Sequence, residues 1–322
     1  MKPKTISVSL LFIAQLLVFQ SAQAFPDRPV KLVVVSPAGG PPDIMARLLI
    51  DKMGAALGQP VIVENRPGGA GGTIGAKSVL TAEPDGHTLL VGSTSTVLIA
   101  PLIYKNAGYS SETFAPVAGL SESTEILAVH PSVAANSVAE LVSLAKSQPG
   151  MLRYGSAGVG TLPHLEGELL KARAQIEMSH IPYRGGGPAL TGLLGGEVHA
   201  FFSALTQMLP YVRDGRLRGL AVTSETRSPR APELPTMVES GFDQFVTASI
   251  NFIVAPPGTP ITVRQQLSEA VARALASDEV KQAFSRIGAD ARPASPEALT
   301  SYLAKEQIRW ARITEAARVS ID

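Results

Sequence analysis

The chain has 322 residues, with 28 Lys and Arg against 27 Asp and Glu, and it contains no Cys. Because the charges nearly cancel, the sequence lacks the basic footprint of a nucleic-acid-binding or membrane-surface protein. The absence of cysteine excludes disulfides, thiolate zinc sites and a cysteine nucleophile. The length predicts two domains, and 45% hydrophobic residues can supply the large core that a chain without disulfides needs.

The first 24 residues have the pattern of a signal peptide. Two lysines precede a mostly apolar run over residues 6–19, and Ala22-Gln23-Ala24 matches the small-x-small cleavage pattern. The apolar run is too short to span a membrane comfortably. We therefore expect export to the periplasm, with cleavage after Ala24 and a mature chain that begins at Phe25. No Cys follows the cleavage site, so a lipid anchor at that position is excluded.

The segment 33–49, VVVSPAGGPPDIMARLL, predicts a strand, a tight turn and a helix. Gly39 and Gly40 allow the backbone to approach a ligand closely, and Pro42 suits the first turn of a helix. Because free N–H groups at a helix N-terminus favour an anion, we predict that a small carboxylate or similar anion binds here. An ordinary strand–helix turn has the same pattern. Asp43 either caps this helix or meets an amine on a ligand, and the sequence leaves both roles open.

Strands and helices alternate along most of the chain, which predicts a mostly parallel sheet with helices on its faces. The predicted strands are 30–36, 61–64, 88–91, 152–155, 178–181, 198–202 and 217–222, with extended segments at 114–120, 126–129 and 246–255. The predicted helices are 42–57, 76–82, 136–148, 162–172, 188–194, 209–213, 261–276, 278–287 and 296–317, and a further helix contains Val238. Two such series predict an α/β fold of two lobes, joined by crossing strands near residues 119–129 and 246–255.

Loops rich in Gly, Ser and Thr follow several of the predicted strands, where the ligands of open α/β sheets gather. They comprise residues 65–75, 92–96, 156–161 and 182–187. Their main-chain N–H groups and hydroxyls could enclose a small polar ligand. His164 either braces the loop before it or is a partly buried surface histidine. Arg184 either pairs with a carboxylate or is solvated.

Enzyme motifs are missing from these loops. The dinucleotide fingerprint requires Gly where Ile74 and Pro163 stand, and no Gly-Lys pair forms a phosphate-binding P-loop. The sequence has no G-x-S-x-G motif, and its five His residues show no metal-binding spacing. We therefore expect a binding protein without catalysis, metal or cofactor.

Many segments resemble the Bug family, the periplasmic solute-binding components of tripartite tricarboxylate transporters. The matching segments are 25–30 (FPDRPV), 38–43 (AGGPPD), 46–47 (AR), 58–61 (GQPV), 64–68 (ENRPG), 71–72 (GG), 84–89 (PDGHTL), 154–158 (YGSAG), 160–161 (GT), 164–165 (HL), 182–185 (PYRG), 188–190 (PAL), 194–196 (LGG), 220–224 (LAVTS) and 255–260 (APPGTP). The resemblance covers essentially all of the chain after residue 24.

The resemblance implies a two-lobed periplasmic-binding-protein fold that closes on its ligand like a hinged clamp. Residues 25–120 and 246–322 would form the first domain, and residues 121–245 the second. Family members bind small carboxylates, acidic amino acids and related compounds, mainly through backbone amides, hydroxyls and ordered water. The ligand contacts expected in this chain are Ala38, Gly39, Gly40, Pro42, Asp43, Ser93, Thr94, Ser95, Thr96, Ser156, Ala157, Gly158, Thr161, His164, Arg184, Gly185, Gly186, Ser203 and Ala204.

One departure from the family pattern bears on the ligand. Ser203 stands where the family usually has Asp, which in some members meets a ligand amine, so an amino acid is the less expected ligand here. We expect a monomer that captures a small carboxylate and delivers it to the membrane permease subunits of a tripartite transporter. One alternative is a sensor that docks on the periplasmic domain of a sensor kinase, and another is an α/β enzyme.

Overall fold

Ten strands form one sheet in the computed structural model, which describes residues 25–287, 289–317 and 319–320. The predicted signal peptide, residues 1–24, lies outside the described residues. The strands are β1 (Val30–Val34), β2 (Val61–Asn65), β3 (Thr88–Ser93), β4 (Ala115–Val129), β5 (Arg153–Ser156), β6 (Ser179–Pro182), β7 (Ala200–Ala204), β8 (Arg218–Val222), β9 (Ala248–Ala255) and β10 (Asp290–Ala294). The helices are α1 (Pro41–Leu57), α2 (Thr73–Leu80), α3 (Ala100–Ile103), α4 (Val138–Ser147), α5 (Leu162–Ala174), α6 (Gly186–Leu194), α7 (Leu205–Arg213), α8 (Ile261–Ala276), α9 (Asp278–Arg286) and α10 (Pro296–Ala317). Of the helices in these ranges, none is long and apolar enough to cross a membrane.

The sheet runs in the order β2-β1-β3-β9-β4-β7-β5-β6, and both β8 and β10 pair with β4. Strands β1, β2 and β3 are parallel to one another, and so are β5, β6 and β7. We call β1, β2, β3 and β9 the first sheet half, and β5 to β8 the second sheet half. Because helices connect the parallel strands of each half, the predicted α/β fold is confirmed.

Strand β4 is shared by the two sheet halves. Its residues 115–124 pair with β9, and its residues 125–129 pair with β7 and β8. Strand β9 is antiparallel to both β3 and β4, so β3 and β4 run in the same direction, whereas β7 runs in the opposite one. The carboxyl ends of β1 and β3 therefore point towards the second sheet half, and those of β5, β6 and β7 point towards the first. The extended segments predicted at 114–120 and 126–129 are one continuous crossing strand.

Three apolar clusters hold the helices against the sheet. Helices α1, α8 and α9 pack on one face of the first sheet half, around Leu32, Ile253 and Phe284. Helices α6 and α7 cover one face of the second sheet half, around Phe201. The largest cluster contains side chains of both sheet halves together with α5 and α10, and the fully buried Trp310 belongs to it. One continuous core therefore extends across the two sheet halves.

The segment around Val238 is a single turn, and the helix predicted there is wrong. The Glu239 N–H donates to Thr236 Oγ1 at 3.0 Å, and the Thr236 N–H donates to Glu239 Oε2 at 2.8 Å. This reciprocal pair is typical of a helix N-terminus. At Gly241 a φ of +91° takes the backbone into the left-handed region and ends the turn. The segment therefore has the hydrogen bonds of a helix N-terminus, but the backbone leaves the helical conformation before a helix can form.

Two elements differ from the loops that the sequence predicts. Thr94–Ile99 forms a π-helical turn that continues into α3. Val97, Leu98 and Ile99 within it are fully buried, so tertiary packing sets this conformation rather than local propensity. Strand β10 pairs with β4 through an irregular ladder, and Pro293 removes one of its donors, which is why its sequence has no clear strand pattern.

The shared core generates the first prediction. Trp310→Ala should lower the free energy of unfolding by about 3–5 kcal/mol, because the truncation leaves a cavity in that core. Ile308→Ala on the same helix is the matched control, since Ile308 is 58% exposed and its loss should cost no more than about 0.5 kcal/mol. Urea unfolding followed by circular dichroism measures both values. Equal midpoints for the two variants would contradict the prediction.

Candidate functional site

The carboxyl ends of β3 and β7 lie close together along β4. Ser93 pairs with Asn251, which in turn pairs with Ser121 on β4. Ala204, at the end of β7, pairs with Glu125. Ser121 and Glu125 are separated by about 13 Å along the strand, at roughly 3.3 Å per residue. The loops that follow these strands therefore face each other across β4, which is the geometry of a cleft.

The predicted site residues all lie at or near the carboxyl ends of β1, β3, β5, β6 and β7, and they differ in exposure. The buried ones are Asp43, Thr94, Thr96, Ser156, His164 and Ser203. The exposed or half-buried ones are Ala38, Gly39, Gly40, Pro42, Ser93, Ser95, Ala157, Gly158, Thr161, Arg184, Gly185, Gly186 and Ala204. The second group has atoms that are accessible to solvent, whereas the side chains of the first group are largely enclosed by protein.

Asp43 is fully engaged in holding the turn between β1 and α1. Its carboxylate accepts hydrogen bonds from the Gly39 N–H at 2.8 Å, from Arg47 Nε at 3.0 Å and from Asn65 Nδ2 at 2.9 Å. Asn65 Nδ2 also donates to the Ser36 carbonyl at 3.1 Å. Burial raises the pKa of Asp43, but these hydrogen bonds, Arg47 first, outweigh it and hold the pKa below its ordinary value. The geometry favours the capping role of Asp43 over contact with a ligand amine.

The same turn offers an anion fewer main-chain donors than its glycines suggest. The Gly39 N–H is bound to the Asp43 carboxylate, and the Gly40 N–H donates to the Pro37 carbonyl at 3.1 Å. Pro41 and Pro42 have no N–H at all. Gly40 has a φ of −71°, which any residue can adopt, so glycine is not required there by its backbone angle.

The π-helical turn after β3 is tied to both sheet halves by its hydroxyls. Thr94 Oγ1 donates to the Ala248 carbonyl at 3.2 Å and accepts from the Ile250 N–H at 3.0 Å, which fastens the turn to β9. Ser95 Oγ accepts a hydrogen bond from the Leu162 N–H at 3.1 Å, at the first residue of α5. The loop after β3 and the loop after β5 are therefore in direct contact.

A second contact joins these two loops. The Tyr104 hydroxyl, at the end of α3, donates to the Val159 carbonyl at 3.2 Å. Gly160 has a φ of +77°, and a Cβ there would lie 2.5 Å from the Tyr104 hydroxyl oxygen. Only glycine allows this close approach.

Two histidines brace the loop after β5. Ser156 Oγ lies 2.7 Å from His180 Nε2 and accepts a hydrogen bond from the Gly158 N–H at 3.1 Å. The Gly160 N–H donates to His164 Nδ1 at 3.2 Å. Ser156 is fully buried, so its hydroxyl supports the loop from inside. Of the two roles that the sequence leaves open for His164, the geometry favours bracing.

The two imidazoles are stacked on each other, and their burial favours the neutral form of both. The His164 and His180 ring centroids are 4.2 Å apart, and Tyr154 stacks on the other face of His180 at 4.8 Å. Burial lowers the pKa of both histidines, and the neighbouring His164 helps to lower that of His180 to about 4. A neutral His164 can accept at Nδ1, as the bond from the Gly160 N–H requires. Among the described residues, no group of three or more His, Cys, Asp or Glu is placed to hold a metal ion.

The loops after β6 and β7 complete the second side. The Gly185 N–H donates to the Ala157 carbonyl at 3.0 Å, so the β6 loop rests on the β5 loop. Ser203 Oγ is 3.0 Å from Gln207 Oε1 on α7. Arg184 is exposed, and its guanidinium makes no hydrogen bond or ion pair with any other described residue. It is therefore free to meet an anion.

Sequence reasoning missed several supporting residues, which are Arg47, Asn65, Tyr104, His180 and Gln207. The spacing of Arg47 four residues after Asp43 was a usable signal, because such pairs meet on one face of a helix. Tyr104 and His180 gave no such signal, since their contacts join segments that are distant in the sequence.

Comparisons with known proteins agree with this geometry. A family model described as "Tripartite tricarboxylate transporter family receptor" matches residues 45–319. Protein BugT of Bordetella pertussis is 36% identical over 295 residues, which cover 91% of this chain and 90% of BugT. A solved R. palustris protein with adipate is 34% identical, with a TM-score of 0.82 over 92% of this chain and 99% of that one. MatC from Rhodopseudomonas palustris, with bound malate, is 33% identical, with a TM-score of 0.81 over 90% of this chain and 99% of that one.

The bracing role of His164 generates the second prediction. His164→Leu removes the acceptor for the Gly160 N–H, and loss of a bond worth about 1 kcal/mol should speed hydrogen exchange of that amide about fivefold. His164→Asn is the matched control, because its side-chain oxygen can occupy the position of Nδ1 and should retain most of the protection. Amide exchange followed by NMR measures both variants. Identical acceleration in the two variants would show that the ring packs against the loop without bracing it.

Proposed function

Because this chain belongs to the tripartite tricarboxylate transporter receptor family, we propose that it captures a small carboxylate between the facing loops and delivers it to the membrane subunits of a tripartite transporter. The observation that carries the proposal is the hydrogen bond from the Leu162 N–H to Ser95 Oγ. Loops from opposite sheet halves meet at this bond, and they are rich in glycine and hydroxyl side chains. The comparisons give no support to a sensor that docks on a kinase.

A dicarboxylate is the ligand class that the loops suit best. Two relatives hold dicarboxylates, malate and adipate, in their solved structures. In this chain the Gly158 and Gly185 N–H groups are bonded within the loops, so one carboxylate would be held beside them by the N–H at the start of α6, at Gly186. The unpaired guanidinium of Arg184 would meet the other at the rim of the cleft. Ser203 offers no charge to a ligand amine at the end of β7, which disfavours an amino acid.

We propose that the two domains comprise residues 25–120 with 246–322, and residues 121–245. Support comes from β4, whose pairing changes from β9 to β7 between Thr124 and Glu125. Strand β9 runs antiparallel to β4 beside this point, so the two chain connections between the proposed domains lie next to each other in the sheet. Closure about these crossing strands would bring the facing loops onto the ligand.

We also propose that the protein works in the periplasm as a monomer that carries out no catalysis. The amino-terminal sequence pattern supports export with cleavage after Ala24. Burial of Ser156, the hydroxyl that lies against His180, supports binding without turnover. Size-exclusion chromatography with light scattering tests the oligomeric state.

Thermal unfolding with a panel of small carboxylates tests the proposed function, and it is the third prediction. Malate or adipate at about one hundred times its Kd should raise the stability by about 2.7 kcal/mol, because it binds only the folded protein. Gly158→Ala should remove this shift, since Gly158 has a φ of +135° that alanine rarely adopts.

Gly215→Ala is the matched control for this experiment. Gly215 also has a positive φ, +69°, but a Cβ there has nothing within 4 Å, and it lies in a turn after α7 away from the facing loops. This variant should keep the ligand shift. No shift of the unaltered protein with any carboxylate would overturn the proposed function, and a full shift in Gly158→Ala would exclude the β5 loop from the site.

A further inference from the structure

Two glutamates are buried where the facing loops meet the crossing strand. Glu125 lies on β4 opposite Ala204, at the point where the pairing of β4 changes from one sheet half to the other, and it is 3% exposed. Glu166 lies on α5 and is 0% exposed. A short chain of hydrogen bonds connects the two residues: the Glu125 N–H donates to Thr223 Oγ1 at 3.2 Å, Thr223 Oγ1 donates to the Thr247 carbonyl at 2.9 Å, and Thr247 bonds Glu166. Carboxylates are almost never buried so completely unless they are paired or protonated.

Among the described residues, no cationic side chain forms an ion pair with either glutamate. None of the ion pairs in the part of the chain that the structure describes involves Glu125 or Glu166. Glu166 Oε1 accepts a hydrogen bond from Thr247 Oγ1 at 2.5 Å, whereas Glu166 Oε2 is buried without a partner. A carboxylate oxygen that is buried without any donor carries an unsolvated negative charge, and a bound proton removes that charge.

The two carboxyls favour a bound proton for a physical reason. Burial raises the pKa of Glu125 to about 8. Burial also raises the pKa of Glu166 well above its ordinary value, and the nearby charge of Glu125 raises it further. At neutral pH the pair therefore keeps at least one proton.

The pair is close to the place proposed for the ligand. Helix α5 begins just after Thr161, at the end of the β5 loop, and Glu166 lies about 7.5 Å further along the helix axis at roughly 1.5 Å per residue. Ala204, the partner of Glu125 in the ladder, is itself a proposed ligand contact. Two ionised carboxylates here would repel a bound anion through a medium of low dielectric, whereas protonated ones would not.

We propose that Glu125 and Glu166 form a proton-binding site coupled to the ligand site, so that the carboxylate is bound together with a proton held by this pair. The proton comes from solvent, and no covalent bond changes. The inference rests on the proposed function. By linkage, bound anion makes the pair hold its proton more tightly, and loss of the proton at alkaline pH weakens the binding of the anion.

Other titratable groups near the pair are separated from it by the direction of their pKa shifts or by a control variant. The titratable and charged groups on the elements packed around it are Glu122, Arg153, Tyr154, His164, Glu168, Lys171, Arg173, His180, Tyr211, Arg213, Arg218, Arg264, Glu269, Arg273, Asp290, Arg292, Glu297, Tyr302, Lys305, Glu306, Arg309, Arg312 and Glu315. The pKa of each histidine in this set is lowered by burial, so both titrate in acid. Hydrogen bonds from Lys171 and Tyr154 outweigh burial and lower the pKa of Glu168, whereas burial raises that of Tyr154 far above neutrality. Burial raises the pKa of Glu306 although Arg309, 3.0 Å away, opposes the rise, so Glu306→Gln is the control that separates its titration from that of the pair.

Calorimetric titration across pH tests the coupling, and it is the fourth prediction. With malate, or adipate if malate gives no thermal shift, the affinity should fall about tenfold between about pH 7.5 and about pH 9.5. The double variant Glu125→Gln, Glu166→Gln should lose this dependence, because neither amide titrates. Glu306→Gln should keep the profile of the unaltered protein. Titrations at about pH 8.5 in buffers of different ionisation enthalpy should show proton uptake on binding in the unaltered protein and none in the double variant.

A second measurement needs no ligand. The folded protein holds a proton that the unfolded chain releases above about pH 4.5, so the free energy of unfolding should fall as pH rises from about 4.5 towards about 8. This decline should be smaller in the double variant, and in Glu166→Gln alone if the double variant does not fold.

The outcomes separate the two proposals. If malate or adipate binds with an affinity that is flat across this range, or if the double variant keeps the alkaline loss, the coupling is wrong and the proposed function stands. If no carboxylate binds at any pH, both the proposed function and the coupling are wrong. The unfolding measurement then still decides whether the pair holds a proton. Equal pH dependence of unfolding in the unaltered protein and the Gln variants overturns the proton site.

Discussion

The pairing of β4 with both sheet halves is the constraint on which the rest of the structure depends. Because one strand supplies ladder partners to β9 on one stretch and to β7 and β8 on the next, the directions of the two parallel series are fixed relative to each other. Their carboxyl ends must then point at one another. In most open α/β sheets the carboxyl ends form one binding edge, whereas here two such edges are opposed across a shared strand.

Buried polar side chains hold the opposed loops through hydrogen bonds to their main chain and hydroxyls. Asp43 holds the β1 turn, Thr94 holds the β3 turn, and His164 with His180 holds the β5 loop. These side chains are unavailable to a ligand because they are already bonded to protein. Their effect is to fix in advance the main-chain groups and hydroxyls that remain exposed, which reduces the ordering cost of binding.

The sequence predicts the alternating elements well, because local patterns carry them: helix α10 was expected at 296–317 and is Pro296–Ala317. It also predicts the segments that flank the cleft, since glycine and hydroxyl residues after strands are a local signal. What it does not predict depends on tertiary packing. The π-helical turn after β3 is one such element, because packing forms it without a local sequence signal. The segment at Val238 is the opposite case, because it has the local signal of a helix N-terminus but forms only a single turn.

The division of roles within the site follows the same logic. Exposure could not be read from the residue types, so the sequence left Asp43 open to a capping role or a ligand contact, and Arg184 open to an ion pair with a carboxylate or to solvation. The structure separates them, because the Asp43 carboxylate accepts hydrogen bonds from Gly39, Arg47 and Asn65, whereas the Arg184 side chain has no partner among the described residues. Contacts such as that of Ser95 with Leu162 join residues that are distant in the chain, so no local sequence pattern predicts them.

The charges around the proposed cleft can be explained by the same contacts. The proposed anion site lies near several titratable side chains, and the surroundings of each one set its charge. The Asp43 charge is balanced by Arg47, and the burial of Glu125 and Glu166 favours a proton bound to the pair. The stacked imidazoles are kept neutral, so they add no permanent positive charge that would hold a carboxylate too tightly to release. Fixed dipoles and one exposed guanidinium are then left to attract the anion, which suits a protein that must both capture its ligand and give it up.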